Sequence, residues 1–474
     1  MFGLKFFKFA LFCVVFSVFL NANCLECHEK IEKFELVNHD FSCEKCHLKK
    51  EDQTNTDHAK IVAHPASNEN MSEFCGECHD EHIKSYKNSN HFTHKNEINA
   101  ILRAFGIDEN ASINEFANLK NLNEKQIFAL DIIQNKCLNC HTGSQGQNGA
   151  FRGLGCMACH TEYANDGKYH GKDEFAGNNL HSKTHEMKKA GSDACLSCHN
   201  KYFVGADFMG LFSIDTHKDF RTPLDKNGNF QGKFKGGFYH SLSPDIHANL
   251  GFSCVDCHTS HNENQAKFDD FFKNNESDFK TKSCENCHEI SQNFAHASYH
   301  EGLVCTSCHA SWQGSFYELN LIKDESKNAK KWENILDFWG GKKNYRAVFS
   351  LSRFENVFLL NDAKSGKITL SRPNFQYNLM QISKNGEEIS LSGKREFEAF
   401  APFSPHTVSK QAKNCELCHA NLLQSGKSYG GVSEFFTPSD NAKFINSAPL
   451  TKEQQNRLNS PLYKKTRAKM LNQN

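Results

Sequence analysis

The stretch CENCHEISQNFAHASYHEGLVCTSCH, residues 284–309, carries the pentapeptide Cys-x-x-Cys-His at each end and His296 and His300 between them. Outward from it, the same pentapeptide begins at Cys24, Cys43, Cys75, Cys137, Cys156, Cys195, Cys254, Cys284, Cys305 and Cys415, so twenty of the 21 cysteines fall into ten copies. Their second cysteines are Cys27, Cys46, Cys78, Cys140, Cys159, Cys198, Cys257, Cys287, Cys308 and Cys418. Each copy closes on a histidine: His28, His47, His79, His141, His160, His199, His258, His288, His309 and His419. Two thiols three residues apart can add to the two vinyl groups of one haem, which holds the adjacent histidine under the iron as its proximal ligand. Zinc knuckles also use Cys-x-x-Cys but pair into four-ligand sites and need no histidine after each one. A disulfide framework would not place every cysteine in one pentapeptide. The repeat therefore predicts ten covalently attached haem c groups.

Ten of the 26 histidines belong to the motifs, and sixteen remain, enough to supply ten sixth ligands with six to spare. His39, His64, His91, His181, His185, His240, His247, His296, His300 and His406 lie just upstream of a motif or on a short helix after one, and they are the expected distal ligands. His406 is singled out as the one histidine between His309 and the last motif. His58, His82, His94, His170, His217 and His261 form a second tier. Methionine ligation, which raises potentials, is expected to be minor, since few methionines lie in the haem-bearing region and Met157 is inside a motif.

Short linkers join His28 to Cys43, His141 to Cys156 and His288 to Cys305, which brings three haem pairs close together. The expected fold is mainly α with much irregular structure, a haem-packed multihaem cytochrome array with a small β-rich insert. Residues 23–314 form its nine-haem part. Within them, residues 97–136 lack cysteine and histidine, and Ile98, Ile101, Leu102 and Phe105, then Ile127, Leu130, Ile132 and Ile133, recur at helical spacing. The glycine-rich run around Arg152 and Gly155 lacks the Lys-Ser/Thr of a phosphate loop, so its glycines are expected to let backbone pass close to porphyrin. Residues 315–400 alternate in hydropathy, with a hairpin signal at Asn385-Gly386. They read as a haem-free β-rich insert serving as a lid or docking surface. Residues 401–428 carry the tenth haem, and 429–474 read as a polar C-terminal tail.

The chain has 474 residues, 55 basic and 55 acidic side chains and only 38% hydrophobic residues. That apolar fraction is low for cores of this size, and porphyrins would supply the missing buried area. Balanced charge argues against nucleic-acid binding. Lys5 and Lys8 precede an apolar run over residues 9–20, and residues 1–22 read as a secretory signal peptide. That run is too short to cross a bilayer, so a periplasmic protein without its own membrane span is expected after cleavage. Cys13, the odd cysteine, would leave with the signal. Each ferric haem with two ionised propionates adds about one negative charge, so the mature holoprotein would carry about −12 and suit a partner with a basic docking face.

The segment Cys75-Gly76-Glu77-Cys78-His79, followed by Tyr86, Ser89 and His91, resembles a haem-plus-helix unit of the multihaem superfamily that includes hydroxylamine oxidoreductase. In that family the later histidine ligates a neighbouring haem, which implies this role for His91; Tyr86 stands where the family usually has tryptophan. Residues 137–261, with RGLGCMACH, the step from Asp245 to His247, and CVDCHTS, are similar to exported multihaem cytochromes. All ten motifs end in histidine, unlike the lysine-ligated catalytic haem of pentahaem nitrite reductases. None has the lengthened cysteine spacing of octahaem sulfite reductases.

Two functions compete. One is an electron relay between a quinol-linked membrane cytochrome, or another redox protein, and a terminal acceptor, with the cytochrome c maturation machinery as an assembly partner. Ligation by two histidines suits it, because no open iron position is required. The other is a terminal reductase of a small nitrogen or sulfur compound or related oxyanion, which needs an open iron position with cations and proton donors around it. Arg152 near Tyr163, Tyr169 and His170 is the candidate constellation for the second. Its simpler role is an arginine paired with a haem propionate.

Overall fold

The computed structural model describes residues 24–471 apart from 35–37, 53–57, 108–110, 113, 137, 139–141, 143–153, 163–168, 177–181, 200–202, 214–232, 235–236, 260–279, 292, 297–299, 327–343, 354–356, 391–396, 416–431, 434–441 and 445–446. The expected signal peptide, Cys137, Cys140, His141, Cys418, His419, His181, His217, His261, Arg152 and Tyr163 therefore lie outside the described residues. No helix among the described residues is long and apolar enough to cross a membrane. The chain divides into two units, Met1–Lys87 with His141–Ala194, and Asn88–Cys140 with Cys195–Asn474.

The first unit is built from short helices, Cys24–Cys27, Cys43–His47, Met71–Phe74, Gly76–Lys87 and Met157–His160, joined by turns. Its buried apolar side chains are few: Leu48, Ala66, Met71, Ile83, Leu154 and Ala158 are among them. Gly155 has φ +59°, and a Cβ there would stand 2.1 Å from the Ala66 carbonyl oxygen. The Cys156 amide donates to that oxygen at 3.1 Å. Among the described residues this glycine thus lets the fifth motif approach the backbone at Ala66.

In the second unit, residues 97–136 hold the helices Lys95–Ala104 and Glu124–Asn135. Asn123 and Gln126 form a reciprocal capping box at the start of the second, which satisfies two otherwise orphaned amides. Ile98, Leu102, Ile132 and Ile133 are fully buried. Buried Asn99 accepts the Ala111 amide and donates to its carbonyl, which closes the connecting loop onto the first helix.

Short strands β1 (Leu211–Ser213), β2 (Lys233–Phe234) and β3 (Gly237–Ser241) form one small sheet, and β4 (His258–Thr259) pairs with β5 (Lys280–Thr281). The large sheet has nine strands: β6 (Gly314–Asp324), β7 (Tyr345–Arg353), β8 (Val357–Asp362), β9 (Ile368–Ile382), β10 (Glu388–Ser390), β11 (Phe397–Pro402), β12 (Val432–Ser433), β13 (Ala442–Phe444) and β14 (Ser447–Ala448). Fifteen-residue β9 is its axis, with β6 parallel to it and β8, β10 and β11 antiparallel. Gly386, at φ +82°, takes the left-handed position in the turn from β9 to β10.

This sheet is larger than the small insert expected from residues 315–400. Segment 429–474, expected as a polar tail, contributes β12, β13 and β14 and the helices Lys452–Leu458 and Pro461–Leu471. Leu450 and Leu458 pack against the cluster of Ala310, Leu359, Ile368, Leu370 and Phe403. Strands of two or three residues are too short to show alternation, which hid them in the sequence. Asp131 on the helix Glu124–Asn135 accepts from Lys323 Nζ at 2.7 Å and Tyr345 Oη at 2.8 Å, tying that helix to the ends of β6 and β7.

Candidate functional site: paired histidines

Most described motifs form about one turn of helix. The His28, His79, His160 and His288 amides donate to the carbonyls of Cys24, Cys75, Cys156 and Cys284 at 2.9, 3.0, 3.1 and 2.9 Å. A helical turn puts residues three apart on one face, so both thiols point the same way and the histidine follows directly. Among the described residues no cysteine is in a disulfide. Among the described residues no group of three or more His, Cys, Asp or Glu is arranged to hold a bare metal ion.

The histidines come together in twos. His28 faces His58 with ring centroids 6.5 Å apart, His47 faces His185 at 6.0 Å, and His79 faces His39 at 5.9 Å. In the second unit His199 faces His91 at 6.3 Å, His258 faces His406 at 6.0 Å, His288 faces His247 at 6.1 Å, and His309 faces His296 at 6.3 Å. Each pair joins a motif histidine to a histidine outside the motifs. A metal–imidazole bond is about 2 Å and a ring nitrogen lies about 1.1 Å from its ring centre, so one metal between two imidazoles in line sets the centroids about 6 Å apart.

Hydrogen bonding at the other ring nitrogen supports the same geometry. Nδ1 of His47, His160, His185, His296 and His309 bonds the carbonyl of Val62, Lys188, Glu32, Ser291 and Ser409, at 2.9 to 3.2 Å. Nδ1 of His28 and of His247 bonds a carboxylate instead, Asp173 at 2.5 Å and Asp245 at 2.8 Å. A proton held on Nδ1 leaves the Nε2 lone pair for a metal. Burial pushes the pKa of His47, His79 and His258 down, and that of His406, whose Nδ1 is shielded from solvent, down to about 3, with neighbouring His258 adding to the effect. A lowered pKa favours the neutral ring that a metal ligand requires.

Of the expected distal ligands, His39, His91, His185, His247, His296 and His406 each face a motif histidine. His64 sits in the turn that leads to the third motif, where its carbonyl accepts the Ser67 amide at 3.2 Å. His240 lies on β3 opposite Phe212. His300 opens the turn into the ninth motif, where the Leu303 amide bonds its carbonyl at 2.9 Å. His58, placed in the second tier, takes the position facing His28. It lies in a polar linker with no periodicity to mark it, and its loop is held by the Val62 amide bonding the His47 carbonyl at 2.9 Å. His82 lies beside His79 at 5.7 Å with its ring nearly perpendicular. Nε2 of His94 bonds the His91 carbonyl at 3.1 Å, which turns that nitrogen away from a metal.

Tyr169 donates to Glu32 Oε2 at 2.7 Å, and Glu32 also accepts the Lys172 and His185 amides at 3.0 and 3.2 Å. Burial and this hydrogen bond push the tyrosine pKa up to about 12. The hydroxyl is thus committed to the loop that carries His185 and is a poor proton donor to a substrate.

Paired cysteines beside facing imidazoles fit a c-type haem: two thiols for its vinyl groups, one histidine below the iron and another above. Residues 74–161, which include the third, fourth and fifth motifs, match the family described as cytochrome c554 and c-prime. No curated protein and no solved structure matches the chain. The family match supports a c-type cytochrome with covalently bound haem c that acts in electron transfer.

Proposed function

We propose that the chain is a decahaem c-type cytochrome, exported to the periplasm, that relays electrons from a quinol-linked membrane cytochrome or similar redox protein to a terminal acceptor. The facing of motif and non-motif histidines at about 6 Å carries this reading. It gives seven of the ten proposed irons both axial ligands from this chain. An iron held on both sides passes one electron at a time and offers no position to a substrate. His28, His47, His79, His199, His258, His288 and His309 serve below the iron, with His58, His185, His39, His91, His406, His247 and His296 above it. The remaining proposed haems belong to the motifs ending in His141, His160 and His419.

Proximity of motifs suits exchange between haems. The thiols of Cys284 and Cys305, the first cysteines of the eighth and ninth motifs, lie close enough that each shifts the pKa of the other, so the vinyl edges they would bind would be neighbours. The β sheet serves as scaffold. The Val304 amide bonds the Ile368 carbonyl at 3.0 Å, and the Ser311 amide bonds that of Thr407 at 2.7 Å, which clamps the ninth motif between β9 and the segment after His406.

The purified holoprotein should exceed its polypeptide mass by ten haems, roughly 6 kDa. Once reduced, it should be reoxidised by a ferric partner cytochrome and not by nitrite, hydroxylamine or sulfite. Multiple-turnover reduction of any of these compounds would establish the terminal-reductase function instead, and a haem load far from ten would contradict the motif reading.

A further inference from the structure

Two of the seven ligand rings with a defined Nδ1 partner differ from the other five. Asp173 Oδ2 lies 2.5 Å from His28 Nδ1, and its carboxylate is 2% exposed. Its other oxygen accepts the Phe175 amide at 2.9 Å. Asp245 Oδ1 lies 2.8 Å from His247 Nδ1, with the carboxylate fully buried. The same Oδ1 accepts the His247 amide at 2.9 Å, and Oδ2 accepts the Val408 amide at 2.6 Å. Among the described residues neither carboxylate has a lysine or arginine in ion-pair contact. Both sites thus combine one imidazole, backbone amides and an uncompensated buried aspartate. The two sites come from unrelated segments, a loop after the fifth motif and the N-cap of the helix Ile246–Asn249.

We propose that Asp173 and Asp245 are positioning residues that make the haem between His28 and His58, and the haem between His247 and His288, the most reducing haem of its own unit. The inference rests on the proposed haem ligation. A backbone carbonyl offers the imidazole a partial charge, whereas a carboxylate offers a full one through a short hydrogen bond. The carboxylate makes the ring a stronger electron donor to iron and holds its orientation. A negative charge in a poorly solvated site also favours the ferric state, which carries one more positive charge than the ferrous state. Both effects have the same sign. Neither needs a proton to move: the proton stays on Nδ1 and the couple exchanges one electron with its neighbours. Electrons would rest elsewhere in each unit and occupy these haems last.

Potentiometric titration of the loaded protein, followed optically and by electron paramagnetic resonance, tests this. The wild-type titration should contain two one-electron components below the rest. Asp173→Asn and Asp245→Asn, which keep shape and an acceptor oxygen but remove the charge, should each raise one of them. The expected change is about tenfold in the reduction equilibrium, about 59 mV for a one-electron couple. Low-spin signals and haem content should stay unchanged. Asp173→Glu and Asp245→Glu, which keep the charge, should remain near wild type. A wild-type titration with all components clustered, or Glu variants that shift as far as the Asn variants, would overturn the proposal. So would Asn variants with full haem load and unmoved potentials. Absence of low-spin bis-histidine haem from the wild-type protein would instead refute the underlying ligation.

Discussion

Replacing His406 with alanine should convert one haem, roughly a tenth of the total iron, from low-spin to high-spin while the rest of the protein stays folded. His406 is half-buried, faces His258 at 6.0 Å, and its solvent-shielded Nδ1 has no hydrogen-bond partner among the described residues. A ring nitrogen shielded from water without a partner carries a desolvation cost, and a metal bond to the ring would offset it. The backbone around it does not depend on the ring. The Val408 amide is held by Asp245, the Ser409 amide bonds the His309 carbonyl at 2.9 Å, and Thr407 bonds Gln313 and Trp312. Removing the imidazole therefore leaves a cavity beside iron with its walls in place. Added imidazole should enter it and restore the low-spin spectrum. A wild-type spectrum for His406→Ala would show that His258 and His406 do not share an iron.

Leu370→Ala should have the largest effect on stability, about 2–5 kcal/mol for deleting a fully buried leucine side chain. Leu370 is 0% exposed and packs with Leu359, Ile368, Phe403 and Ala310, the residue that follows the ninth motif histidine. Its amide donates to Ser307 Oγ inside that motif at 3.1 Å. A cavity here loosens the sheet and the seat of His309 together, so the thermal midpoint should fall while the ninth haem becomes easier to displace by external ligands. A substitution of similar chemistry on the solvent side, Ile389→Ala at a 42% exposed position, should change neither. Calorimetry of the three holoproteins, with carbon monoxide binding to the reduced forms, separates these outcomes.

The two halves of the site differ in how readable they are from sequence. Proximal ligands are local: four residues of one helical turn bring Cys305, Cys308 and His309 together, so spacing alone identifies them. Distal ligands are long-range. His406 meets His258 across more than a hundred residues of chain, and only its isolation before the last motif singled it out. His58 carries no such mark in the sequence, yet it faces His28. The helices Lys95–Ala104 and Glu124–Asn135 are amphipathic over three turns and legible from their periodicity. The strands after residue 430 are not, because pairing with β8 and β11 sets them, and two- or three-residue strands have no pattern of their own. Low apolar content was legible as a composition, yet it was silent on where side chains would still form a core. They do so in the sheet around Leu370 and under the helix pair, while the first unit buries few aliphatic residues.

Electron paramagnetic resonance of the fully oxidised holoprotein tests whether this chain supplies both axial ligands to its irons. The spectrum should contain low-spin ferric signals alone, integrating to about ten spins per chain after allowance for coupling between neighbouring haems, and unchanged by nitrite, hydroxylamine or sulfite. A stoichiometric high-spin signal that shifts when one of these compounds is added would contradict it.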